Sequence, residues 1–182
     1  MQLFKIFLLF PLVYTQQDNP YHKILFPGTH NSYSNLHNPS LPPAYPYKDE
    51  ILNQHWSITD QLNQGIRVLD IELNSIFSPQ KCPKKDNCTF LVCHGTAKEA
   101  IEFHLGYSYL EDILLEIKNW MEYQPSEYFE PITIILNKQD SNIKTREILN
   151  IFNETSMNKY VYLYDREITK NFTKWPFISQ RK

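Results

Sequence analysis

The chain has 182 residues and 42% hydrophobic content, which suits one domain with a real core. Its formal net charge of −2 argues against a nucleic-acid binder, which would carry a basic face. Twelve Tyr, eleven Phe and three Trp argue against disorder, and most of these rings are expected in the core.

At the N-terminus, Met1 to Lys5 carries one positive charge and Ile6 to Tyr14 is nearly all apolar. A run of this length is too short for a bilayer, which takes about 20 residues. It fits the apolar region of a signal peptide over residues 1–17, with Thr15, Gln16 and Gln17 as the cleavage region. A buried terminal strand or helix is the competing reading. No other stretch would span a membrane, so residues 18–182 are expected as one exported domain, in the secretory lumen or outside the cell. Three sequons, at Asn87, Asn153 and Asn171, are consistent with that route. Cys82, Cys88 and Cys93 lie close together, and two of them could pair in an oxidising compartment.

Lys23 to Phe26 reads as a short strand leading into Pro27-Gly28-Thr29-His30. The loop from Asn38 through Tyr47 is too rich in proline for regular structure. Asp49 to Gln64 reads as a helix, with Ser57 and Asp60 spaced like a capping box and Gly65 just past its end. Ile66 to Leu73 and Thr89 to Cys93 read as strands. Leu110 to Tyr123 is an amphipathic helix, with Leu110, Ile113, Leu114, Ile117 and Met121 on one stripe and Pro125 closing it. Pro131 to Leu136 is a strand, Ile143 to Phe152 a helix and Val161 to Tyr164 a last strand.

Strands alternating with helices imply parallel βαβ units, arranged as a doubly wound sheet or as part of a (β/α) barrel. Within Val68 to Leu73, alternation puts Leu69, Ile71 and Leu73 on one face and Val68, Asp70 and Glu72 on the other. Two carboxylates on one face near a strand's end favour the barrel, whose mouth is polar, over a sheet covered by helices on both faces. The expected fold class is therefore α/β, a TIM-type (β/α) barrel represented by its N-terminal half of about five strands.

Two histidines sit just past strand ends, His30 beside Gly28 and His94 beside Gly95, in a chain with only four glycines. Glycine permits the close backbone approach that loops around a phosphate need, and imidazole suits proton transfer near neutral pH. His22, His37, His55 and His104 have no comparable setting and are read as surface or packing residues.

Gly28-Thr29-His30-Asn31-Ser32-Tyr33, Ile58-Thr59-Asp60-Gln61-Leu62 leading to Asp70 and Glu72, and Cys93-His94-Gly95 resemble the X region of phosphatidylinositol-specific phospholipases C. The segment from Leu110 through Pro125-Ser126-Glu127 to Asn137 follows the same family's helix, turn and fourth strand. The resemblance implies a distorted (β/α) barrel and a phosphoric diester hydrolase acting on inositol phospholipids or glycolipid anchors at a membrane surface. It assigns His30 and His94 to acid–base catalysis without deciding which is base and which is acid. Calcium-dependent members of the family have Asn after the first His and two acidic residues one apart on the second strand. Asn31, Asp70 and Glu72 match that pattern and suit Ca²⁺, although the acidic pair is Asp-x-Glu here and Glu-x-Asp in animal signalling enzymes. Asn137 stands where those enzymes have a further acidic ligand. Arg67 is expected beneath the site, as a structural residue or a minor substrate contact.

A full barrel takes about 250 residues, so the sequence reads as truncated at its C-terminus. The alternative function is a non-catalytic relative that binds lipid head groups or protein. Glycerophosphodiesterase and sphingomyelinase D types would show His-Arg or Glu-x-Asp pairs on the first strand, and these are not present.

Overall fold

The computed structural model describes residues 3–8, 25–35, 52–75, 90–102, 106–125, 131–139 and 143–163. Cys82, Cys88, the Pro-rich loop, the Pro125-Ser126-Glu127 turn beyond Pro125, the sequons at Asn87 and Asn171, and His22, His37 and His104 lie outside them. The strands are β1 (Leu3–Leu8), β2 (Gly28–Thr29), β3 (Val68–Ser75), β4 (Phe90–Val92), β5 (Ser108–Tyr109), β6 (Ile132–Lys138) and β7 (Val161–Leu163). The helices are α1 (Ile58–Asn63), α2 (Ala97–Glu102), α3 (Leu110–Tyr123) and α4 (Thr145–Glu154), and a 3₁₀ turn, Met157–Tyr160, leads into β7.

One sheet runs in the order β5-β4-β3-β6-β1-β7, with β2 also paired to β3. The centre is the parallel pair β3–β6, in register from Val68 opposite Thr133 to Leu73 opposite Lys138. Leu69, Ile71 and Leu73 on β3 and Ile132, Ile134 and Leu136 on β6 are fully buried on the same side. Against them lie the α3 stripe of Leu110, Ile113, Leu114, Ile117 and Met121, joined by Trp120, and Ile148, Ile151 and Phe152 of α4. Each such aliphatic side chain contributes about 1.5–3 kcal/mol by leaving water. This core therefore holds β3 and β6 rigid under their other face, which carries Val68, Asp70, Glu72, Ile135 and Asn137 half-buried.

The sheet is open and mixed, and the described strands do not close a barrel. The expectation of parallel βαβ units holds for β2, β3 and β6 and fails for β4, while β5 is not among the expected strands. Strand β4 runs antiparallel to β3, and β5 antiparallel to β4. Antiparallel neighbours need no crossover helix, so strand spacing alone does not fix their direction.

Helix α1 is shorter than the expected 49–64. Ser57 sets its start: the Ser57 Oγ accepts from the Asp60 amide at 3.0 Å and donates to Asp60 Oδ2 at 2.6 Å. Ahead of it, the Asn53 and Gln54 amides donate to Ser34 O, which takes that backbone away from a helix. Gly65 follows with φ +87°, the left-handed exit that glycine allows. Of the first expected strand, Lys23 and Ile24 lie outside the described residues; Leu25 is exposed, and among the described residues pairing with β3 begins at Gly28, opposite Val68. At the N-terminus the backbone of β1 lies antiparallel between β6 and β7, where the sequence suggested the start of an export signal. No helix among the described residues is long and apolar enough to cross a membrane.

Candidate functional site

The site is built around the turn that follows β2. Asn31 takes φ +48°, a left-handed conformation that Asn tolerates better than most residues. The turn is tied to β3 twice, by the Ser32 amide donating to Asp70 O at 2.9 Å and by the Asp70 amide donating to Ser32 Oγ at 3.0 Å. Buried Gln61 of α1 anchors it from behind. Its Oε1 accepts from Thr29 Oγ1 at 2.6 Å, and its Nε2 donates to Ser32 O at 2.8 Å and to Trp56 O at 2.9 Å.

This turn brings three side chains, His30, Asn31 and Tyr33, to Asp70, His94 and Glu72. His30 Nδ1 meets Asp70 Oδ2 at 2.7 Å, and Asn137 Nδ2 donates to the other oxygen of Asp70. Asn31 Nδ2 faces His94 Nδ1 at 2.9 Å and also donates to Asn53 Oδ1 at 2.7 Å. Tyr33 OH donates to Glu72 Oε2 at 3.3 Å, and that oxygen stands 3.8 Å from His94 Nδ1. The His30 side chain is 68% exposed and that of His94 50%, so both rings open to solvent while their partners are largely covered. His30, Asp70 and Asn137 line an open cleft with Gly28, Val68 and Ile135.

The partners set the two rings differently. A carboxylate accepts only, so Nδ1 of His30 carries hydrogen and the neutral ring leaves a lone pair on Nε2. An amide N–H aimed at Nδ1 of His94 requires the lone pair there, which puts the hydrogen of the neutral ring on Nε2. His30 is thus set to accept a proton at Nε2, whereas His94 can give one only as the imidazolium, whose charge the Glu72 carboxylate 3.8 Å away would balance. His94 follows β4 on a loop held by Asn74, whose Nδ2 donates to the buried Cys93 Sγ at 3.2 Å. Gly95 turns that loop with φ +79°.

The expected cation ligands are brought to one face, with Glu72 and Asn137 directly opposite in register. Two of them fit a hard cation: Asn31 Oδ1 and Asn137 Oδ1 are buried and have no hydrogen-bond partner. Their nitrogens are committed to His94, Asn53 and Asp70, which leaves both carbonyl oxygens as the available donors. Both oxygens of Asp70 accept hydrogen bonds, from His30 and from Asn137. No group of three His, Cys, Asp or Glu gathers as a metal cluster among the described residues.

Arg67 is not in the cleft. Its Nη1 donates to Leu62 O and Ile66 O, both at 2.7 Å, and its guanidinium lies 5.1 Å from the Trp120 ring centroid. This is the structural alternative for Arg67, as strand alternation requires for the neighbour of Val68. Sequence reasoning gave no role to Gln61, Asn53 or Tyr33. Gln61 had a legible signal, a polar residue sharing the buried face of α1 with Ile58 and Leu62. Tyr33 had none. Its burial, and then the negative charge of Glu72, push its phenol far above the usual range, so it remains a donor.

The family model for the PI-PLC X domain, PI-PLC X 1, matches residues 18–181. A PI-PLC X domain-containing protein of Arabidopsis thaliana is 24% identical over 160 residues, which cover 88% of this chain and 33% of the relative. The chain therefore spans about a third of that curated relative's length. No solved structure matches.

Proposed function

Because the chain belongs to the PI-PLC X domain family, we propose that it cleaves phosphodiesters of the phospholipase C type, with His30 as base and His94 as acid. The observation that carries this reading is that two solvent-open histidines each stand by a carboxylate of β3, His30 by Asp70 at 2.7 Å and His94 by Glu72 at 3.8 Å. In the proposed step, His30 Nε2 takes the proton of an inositol hydroxyl as its oxygen bonds to the neighbouring phosphorus. The bond from phosphorus to the glyceride oxygen breaks, and the His94 imidazolium gives its Nε2 proton to the departing alkoxide, becoming neutral. The products are a cyclic inositol phosphate and a diacylglycerol, or the corresponding glycolipid anchor fragment. Asp70 holds the His30 hydrogen on Nδ1 and leaves Nε2 as the base, and Glu72, 3.8 Å from His94, would balance the charge of its imidazolium.

The proposal includes a Ca²⁺ held by Asn31 Oδ1, Glu72 and Asn137 Oδ1, supported by the two unpartnered amide oxygens. When bound, it supplies the positive charge that phosphoryl oxygens need in the transition state. The proposal also places the protein in the secretory pathway or outside the cell. Loss of residues 1–17 would remove β1 and leave β6 and β7 parallel and in matching register, Ile132 level with Val161 and Ile134 with Leu163. N-terminal sequencing of exported protein should then begin between Gln16 and Asp18; an intact Met1 on cytosolic protein would refute export.

The functional test is release of inositol phosphate from phosphatidylinositol vesicles by the full-length protein, with and without chelator. Turnover that chelator abolishes and Ca²⁺ restores is expected. Undiminished turnover in excess chelator would remove the cation from the reading. Vesicle binding without turnover would replace hydrolysis by head-group recognition.

A further inference from the structure

The turn after β2 delivers three side chains, and the proposed chemistry uses only the first two, His30 and Asn31. We propose that Tyr33 is a positioning residue, whose hydroxyl holds Glu72 Oε2 opposite His94. Its catalytic consequence rests on the phosphodiesterase reading, whereas the contact itself does not.

Tyr33 is 2% exposed and belongs to the apolar core. Phenylalanine would fill nearly the same volume, so packing alone gives no reason for a hydroxyl. A buried phenol needs a partner, and this one finds Glu72 Oε2 at 3.3 Å. That same oxygen lies 3.8 Å from His94 Nδ1, on the side where Asn31 Nδ2 also approaches the ring. Glu72 needs such support more than Asp70 does. Its side chain has one more rotatable bond, and Asp70 is already held at both oxygens by His30 and Asn137. Burial keeps the phenol protonated, so it donates throughout the physiological range. Each carboxylate of β3 thus receives a side chain from the same turn, and each stands beside one of the two histidines.

The test uses the full chain, labelled with ¹⁵N, and follows the ring signals of His94 and His30 in the parent, Tyr33→Phe and Glu72→Gln proteins. Both substitutions are expected to move the His94 ring signals in the same direction and to leave those of His30 in place. With phosphatidylinositol vesicles, Tyr33→Phe should lower kcat by about tenfold with KM within about twofold, the size of one lost hydrogen bond acting on the reacting state. An unmoved His94 in Tyr33→Phe would overturn the proposal. Equal movement of both histidines would overturn it as well, because that marks general repacking. Moved His94 signals with unchanged kcat would refute the catalytic consequence. If Tyr33→Phe does not fold, Glu72→Gln tests the same contact from the solvent side, and an unmoved His94 there would refute it. A parent protein with no turnover refutes the phosphodiesterase reading and leaves the ring signals to decide the contact.

Discussion

Replacing Asp70 with asparagine removes one charge and almost no volume, which isolates what the carboxylate does for His30. Two donors converge on it, the His30 Nδ1–H at 2.7 Å and the Asn137 amide. A carboxylate accepts both, whereas an amide has one oxygen and can accept from only one side. If the oxygen stays with Asn137, the new NH₂ group faces His30 and forces the lone pair onto Nδ1. The hydrogen then moves to Nε2, and the lone pair of the proposed base is lost from that nitrogen. A wrong tautomer of this kind should lower turnover by about 10²- to 10⁴-fold. Stability should change little. With a charged ring, attraction at 2.7 Å in a water-like medium is about 1.5 kcal/mol. The 68% exposure of His30 reduces the net value to about 1 kcal/mol or less. The backbone ties between Ser32 and Asp70 are untouched. Turnover on phosphatidylinositol vesicles and a thermal melt of the full-length protein would be measured together, with a Tm shift of about 2–4 °C expected. Near-normal turnover, or a loss of Tm above about 10 °C, would refute the reasoning.

His30→Ala and His94→Ala should each cut turnover by about 10² or more, and the double variant should be little worse than either. His55→Ala, at an exposed position, is the control that should leave turnover unchanged. At Gly28, an added Cβ would meet Val68 Cβ at 2.8 Å and Val68 O at 3.1 Å. Gly28→Ala should therefore destabilise by about 1–3 kcal/mol and displace His30, and an unchanged Tm would contradict this packing. The raised phenol of Tyr33 favours the protonated form in the fold. Its contribution is complete below the unfolded value near 10 and is lost as pH rises beyond it. Denaturation midpoints between about pH 8 and 11 should fall more steeply for the parent than for Tyr33→Phe, and parallel curves would refute this.

Where structure follows from local periodicity, the sequence was sufficient. The α3 stripe located Leu110–Tyr123 to the residue, and period-two alternation placed Asp70 and Glu72 on the face opposite Leu69, Ile71 and Leu73. The motifs around His30 and His94 pointed to the family and to residues that the fold brings together through Asn31 and Glu72. Strand direction was not legible, because an antiparallel β4 and a parallel one have the same local pattern. Neither was the late start of α1, since the backbone ahead of it is drawn off by Ser34, distant in sequence. The assignment of Asp70 to His30, of Tyr33 to Glu72 and of Gln61 to the turn belongs to the tertiary structure alone. Each joins positions about thirty to forty residues apart. A hydrogen bond across that separation depends on how β2 registers against β3, and the residues near either end carry no trace of it.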